Sequence, residues 1–170
     1  MIKKKICMLG AYNVGKTSLV RRFVFSIFED RYHSTIGVKI DKKELEIEGR
    51  ELQFMLWDIA GEDERFSVPQ TYLRGASGYL LVIDGTRKET LDQALDLQGR
   101  AEGAVGKIPF IAVLNKSDLE DEWELDQDKL DDLTSNNWTV IKTSAKLGTG
   151  VEEVFYELGK KILSRAVDIS

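Results

Sequence analysis

Gly10-Ala11-Tyr12-Asn13-Val14-Gly15-Lys16-Thr17 fits the spacing GxxxxGK[ST], which is the pattern of a loop that cradles phosphates. Its glycines let the backbone curl so that successive N–H groups, from Asn13 through Ser18, face phosphate oxygens. A helix opening at Ser18 would add the positive end of its dipole. Lys16 would then reach the terminal phosphates, and the Thr17 hydroxyl would hold Mg2+.

Two further clusters could complete such a site. Asp58-Ile59-Ala60-Gly61 follows an alternating apolar segment. There the Asp58 carboxylate could reach the shell of the Mg2+, and the Gly61 N–H could meet a γ-phosphate. Asn115-Lys116-Ser117-Asp118 follows a strand-length apolar run and is the more specific signal. An aspartate in that place accepts paired hydrogen bonds from a guanine ring N–H and its exocyclic amine, which adenine cannot supply. A buried carboxylate left unpaired rejects the wrong base by ~10⁴. Thr143-Ser144-Ala145-Lys146 comes next, where the Ala145 N–H could donate to a guanine carbonyl oxygen.

These clusters need elements to bring them together. Ile6-Cys7-Met8-Leu9, Tyr79-Leu80-Leu81-Val82-Ile83 and Phe110-Ile111-Ala112-Val113-Leu114 are apolar at successive positions, as parallel strands covered on both faces are. Lys39 to Trp57 alternates on either side of Glu48-Gly49-Arg50 and predicts a hairpin, hence one antiparallel strand. A short strand is expected over Thr139 to Lys142. Thr90 with Gln93, and Thr149 with Glu152, have capping-box spacing at helix starts. Val151, Val154, Phe155, Leu158 and Ile162 then follow helical periodicity. The expected fold is α/β, a doubly wound, mostly parallel sheet of six strands. Ligands bind beyond the carboxyl ends of such strands.

Composition agrees with one domain over residues 1–170. The lone cysteine, Cys7, cannot form an intrachain disulfide, so the expected setting is reducing and cytoplasmic. A net charge of -5 argues against general nucleic-acid binding. No apolar run approaches the ~20 residues of a transmembrane helix. Neither prenylation nor myristoylation can be read from the termini as given, and there is no His/Cys cluster for zinc.

With these motifs in this order, the chain resembles the Ras superfamily of small GTP-binding proteins over essentially its whole length. Thr35-Ile36-Gly37-Val38, Trp57-Asp58-Ile59-Ala60-Gly61, Arg65-Phe66 and Tyr72-Leu73-Arg74-Gly75-Ala76 resemble the Rab-like branch. The resemblance implies a P-loop GTPase G domain, a monomeric switch that binds GTP or GDP with Mg2+ and hydrolyses GTP. It implies that Phe28 packs against guanine, Tyr32 lies over the phosphates and Thr35 is a second Mg2+ ligand beside Thr17 and Asp58. Asn115 would tie the base site to the phosphate loop, the Lys116 stem would cover the base, and Ser144, Ala145 and Lys146 would complete the pocket. Effectors and regulators would dock through switch I, about 30–40, and switch II, about 61–75.

Three residues depart from the family's pattern. Glu62 stands where the family usually has a glutamine to orient the attacking water. Its carboxylate can accept from that water but cannot donate to a γ-phosphate oxygen. With Lys16 and Gly61 as the remaining catalytic groups, slow hydrolysis is expected, and the alternative is a GTP-binding interaction module with negligible turnover. Tyr12 occupies a position often held by a small residue, where its ring would crowd an activator's arginine. Ile40 replaces an aromatic that would cluster with Trp57 and Tyr72. An adenine-nucleotide kinase or ATPase is disfavoured by Asp118. The acidic stretch Glu120 to Asp132 reads as a solvated face, His33 as a polar loop residue, and Trp123 and Trp138 as packing residues.

Overall fold

A computed structural model of the chain describes residues 1–28, 37–59 and 69–169. Six strands form one sheet: β1 (Ile2–Gly10), β2 (Val38–Ile47), β3 (Arg50–Ile59), β4 (Gly78–Asp84), β5 (Phe110–Asn115) and β6 (Val140–Lys142). Their order is β2-β3-β1-β4-β5-β6. All pairs are parallel except β2 with β3. The antiparallel pair turns at Glu48 and Gly49, both with positive φ (52° and 78°), as a type I′ hairpin requires.

Side-chain parity along the strands divides the core in two. Ile6 and Met8 of β1 face one way, with Leu52, Phe54 and Leu56 of β3, against α1 (Lys16–Phe25) and α5 (Val151–Ile169). Cys7 and Leu9 face the other way, against α2 (Gln70–Leu73), α3 (Glu89–Val105) and α4 (Gln127–Ser135). Strand β4 is buried throughout. The three runs that were apolar on both faces are therefore central strands, as their composition predicts. Phe23 of α1 stacks on Phe155 of α5 with centroids 4.0 Å apart and planes 5° off parallel.

Two helix starts differ from expectation. Thr90 lies inside the first turn of α3, after an N-cap at Lys88. Its hydroxyl donates to the Arg87 carbonyl (2.7 Å) and accepts from the Asp84 N–H (3.0 Å). The threonine thus fastens the helix to β4 instead of capping it. At α5 the first intrahelical bond runs from the Val154 N–H to the Gly150 carbonyl (3.1 Å), which moves the cap from Thr149 to Gly150.

The parallel strands bring their carboxyl ends to one edge. Gly10 lies opposite Val82, Met8 opposite Asp58, and Asp84 opposite Asn115. Strand order reverses at β1, so the loop after Gly10 sits at the switch point where such sheets bind ligands.

Candidate functional site

The phosphate-type loop leaves β1 and enters α1 through Gly15, which is the N-cap in a left-handed conformation (φ 104°). A Cβ there would lie 2.2 Å from Asn115 Nδ2, so glycine is demanded by backbone angle and by space together. Asn115 uses that approach. Its Nδ2 donates to the Val14 carbonyl (3.0 Å), and its Oδ1 accepts from the Thr143 hydroxyl (3.1 Å). One amide thereby joins the loops after β1, β5 and β6. No acidic residue stands in the first turn of α1, so Lys16, Thr17 and Ser18 open a helix whose positive end has no compensating carboxylate of its own.

Lys16 is buried, and its Nζ donates to the carbonyls of Gly10 (2.8 Å) and Ala11 (3.1 Å). Burial pulls its pKa down to about 8, against the opposing pull of the Asp58 carboxylate, while Arg87 lowers it further. A cation held this way is half-solvated by backbone and ready to exchange carbonyls for phosphate oxygens. The Thr17 hydroxyl donates to Asp58 Oδ2 (2.5 Å), and Asp58 is 1 % exposed. These are hard oxygen donors, few in number, and they fit Mg2+, which is held through one or two carboxylates and fills much of its shell with phosphates and water. Among the described residues no cluster of three or more His, Cys, Asp or Glu offers a richer metal site.

The base-type loop is built on Lys116, a non-glycine residue with φ 70°. Left-handed backbone costs an L-residue about 1–2 kcal/mol, and the contacts around Lys116 hold it there. The Leu119 N–H and Trp123 Nε1 both donate to its carbonyl (2.9 Å each). Its Nζ reaches the Asn13 carbonyl (3.2 Å) and Asp84 Oδ2 (2.7 Å). Asp118 Oδ1 accepts from the Ser144 hydroxyl (2.8 Å), which itself accepts from the Leu147 N–H (3.0 Å). The Ala145 N–H, expected to meet a base oxygen, donates to Asn115 Oδ1 over 3.3 Å. The Lys146 side chain is exposed, and its carbonyl accepts from Arg22 of α1. Arg22 Nε also donates to the Ala145 carbonyl (2.7 Å). Phe28 packs half-buried against the core cluster that contains Ala145.

Asp84 and Arg87 are the residues sequence reasoning missed, while Trp123, read there as a packing residue, packs against the core and also donates to the base-type loop. Asp84 is fully buried. Burial alone would raise its carboxyl, but hydrogen bonds from Lys116, Thr86 and Arg87 outweigh that and hold it below the usual range. Arg87 spans Asp84 Oδ2 (3.0 Å) and the Tyr12 carbonyl (2.6 Å), so the phosphate and base loops share one buried anion. A carboxylate closing an otherwise apolar strand was the available signal, because such a group is retained only with partners. Tyr12 itself is 37 % exposed. Ile40 is exposed opposite Trp57, whose ring meets Tyr72 edge-on (6.3 Å). Tyr72 is buried, with its hydroxyl donating to the Met8 carbonyl (3.1 Å). The expected site residues Tyr32, Thr35, Gly61 and Glu62 lie outside the described residues.

A phosphate-type loop at the switch point of a mixed six-stranded sheet, with a base-type loop bonded to it, defines a P-loop nucleotide-binding domain. The sequence model of the Ras family matches residues 5–164, and the chain belongs to that family. It is similar to Rab-named members. The Ras-related protein RabJ of Dictyostelium discoideum is 36% identical over 95% of this chain, which spans 64% of RabJ. Ras-related protein Rab-1D of the same organism is 33% identical, covering 97% of this chain and 82% of its own length. Ras-related protein Rab-30 of Homo sapiens is 33% identical, covering 95% and 81%. Membership carries GTP binding and GTPase chemistry in general, with Mg2+ as the usual ion. No helix among the described residues is long and apolar enough to cross a membrane.

Proposed function

We propose that this chain is a single-domain, Mg2+-dependent guanine-nucleotide switch that hydrolyses GTP to GDP and phosphate slowly. The observation that carries the reading is the single Asn115 amide, which bonds the phosphate loop at Val14 and the base loops at Thr143 and Ala145. A ligand held there must present phosphate and base together.

On this reading Asn13, Val14, Gly15 and Ser18 offer backbone N–H groups to phosphates, and Lys16 trades its two carbonyls for phosphate oxygens. Asp118 reads guanine with Ser144 holding its carboxylate, while Lys116, Phe28, Ala145 and Lys146 enclose the base. Thr17, Asp58 and Thr35 hold the Mg2+, which when bound neutralises phosphate charge. Tyr32 covers the phosphates, and the Gly61 N–H meets the γ-phosphate. Glu62 accepts a hydrogen bond from the attacking water but donates none to the phosphate, and this identity favours slow turnover or, in the second reading, a binding module with negligible turnover. The chain acts as a monomer in a reducing, cytoplasmic setting, with protein partners docking through residues about 30–40 and 61–75. With Lys39 and Ile40 here, the face that Ile40 shares with Trp57 and Tyr72 need not recognise the partners of an all-aromatic one.

Chromatography of nucleotide released from the purified protein tests this reading. GDP or GTP is expected at near-stoichiometric amounts. Adenine nucleotide, or preferential ATP binding, would contradict it.

A further inference from the structure

The segment after Asp118 ends in a tryptophan that contacts both the base-type loop and the end of β4. Trp123 is half-buried. Its Nε1–H donates to the Lys116 carbonyl (2.9 Å) across the short 3-10 helix Ser117–Glu122. Its ring lies against Gly85, so closely that a Cβ on Gly85 would fall 2.1 Å from Cε2 and 2.4 Å from Nε1. The backbone of Gly85 is bonded on both sides, its N–H donating to the Asn115 carbonyl (3.2 Å) and its carbonyl accepting from the Glu124 N–H (2.9 Å). Lys142 Nζ stands 5.3 Å from the indole centroid. The indole is therefore wedged between the strand end that supplies Asp84 and the one residue of the base-type loop in left-handed backbone.

We propose that Trp123 is a positioning residue for guanine recognition: it holds the Lys116 backbone in the conformation that aims Lys116 and Asp118 at the base. The absence of a side chain at Gly85 and the indole N–H at 123 work as a pair. The ring fills the space that a side chain would occupy, and the N–H is a second donor, beside the Leu119 N–H, to the carbonyl of the left-handed residue. This rests on the guanine reading above, since it assigns Trp123 a role in that pocket.

The test uses the full chain, loaded in Mg2+ with GDP or with IDP, whose base lacks the exocyclic amine that Asp118 would accept. Dissociation rates are measured for wild type, Trp123→Phe, which keeps the ring and loses the N–H, and Gly85→Ala, which displaces the ring without altering it. Wild type is expected to release IDP faster than GDP. Both variants are expected to release GDP about two- to tenfold faster, as loss of one hydrogen bond would allow, with the IDP/GDP rate ratio falling toward one. Equal acceleration of both nucleotides, or none, would overturn the proposal and leave guanine recognition standing. A wild type that does not distinguish the two nucleotides would overturn the guanine reading and this proposal together.

Discussion

At the scale of single residues, the chemistry rests on charges kept out of water. Lys16 is the clearest case, since burial brings its pKa down to about 8 from an ordinary 10.5. In the free chain the ammonium loses its proton as pH rises through about 8, and bound phosphates would pull that pKa back up. Nucleotide binding should therefore take up a proton between about pH 8 and 10, and affinity should fall by up to about tenfold per pH unit there. Titration calorimetry of GDP binding at pH 9 in two buffers of different ionisation heat checks this, and zero proton uptake contradicts it. Stability of the free chain runs the other way: the buried cation is a cost below pH 8 that fades as pH rises toward 10.5. Glu62→Gln would return a donor toward the γ-phosphate and should speed single-turnover hydrolysis about 10- to 100-fold, the worth of one hydrogen bond to a charged group. An unchanged rate would make Glu62 a bystander. Lys16, Thr17 and Asp118 were legible in sequence because their motifs are local. Asp84 and Arg87 were not, because they bond loops far away along the chain and carry no spacing of their own.

At the scale of elements, what matters is how close the loops come. Gly15 shows it, since the Asn115 amide occupies the volume that any side chain at 15 would need. Gly15→Ala should destabilise the chain by about 1–3 kcal/mol through backbone strain alone and weaken GDP binding further by pushing Asn115 off Val14. Thermal melts with and without GDP would read both effects, and a wild-type melt with wild-type GDP protection would contradict the account. The central strands were legible because burial on both faces removes alternation, and the hairpin because one exposed face restores it. The starts of α3 and α5 were misplaced by a residue or more; at α3 the reason is that a threonine that bonds a neighbouring strand has the same spacing as one that caps a helix. Only tertiary contact separates the two.

At the scale of the whole molecule, two cores flank one sheet and the site spans the edge where five parallel strands end. Phe155 anchors the α1/α5 side, fully buried and stacked on Phe23. Phe155→Ala should cost about 3–5 kcal/mol, a melting point lowered on the order of 10 °C for a chain this size. GDP at 100 times its dissociation constant should return about 2.7 kcal/mol of that, because ligand binds only the folded chain. A melt that GDP does not raise would show that no formed site survives or none exists. The architecture was legible from strand order and motif position together, while the sharing of one buried carboxylate between phosphate and base loops emerged only from the packed sheet. Hydrolysis is the step that joins these scales, because it needs the phosphate and the base held at once. Single-turnover conversion of pre-bound GTP, followed by chromatography with and without Mg2+, measures it directly: slow, Mg2+-dependent formation of GDP is expected, and GTP that stays intact, or turns over equally without Mg2+, would contradict the account.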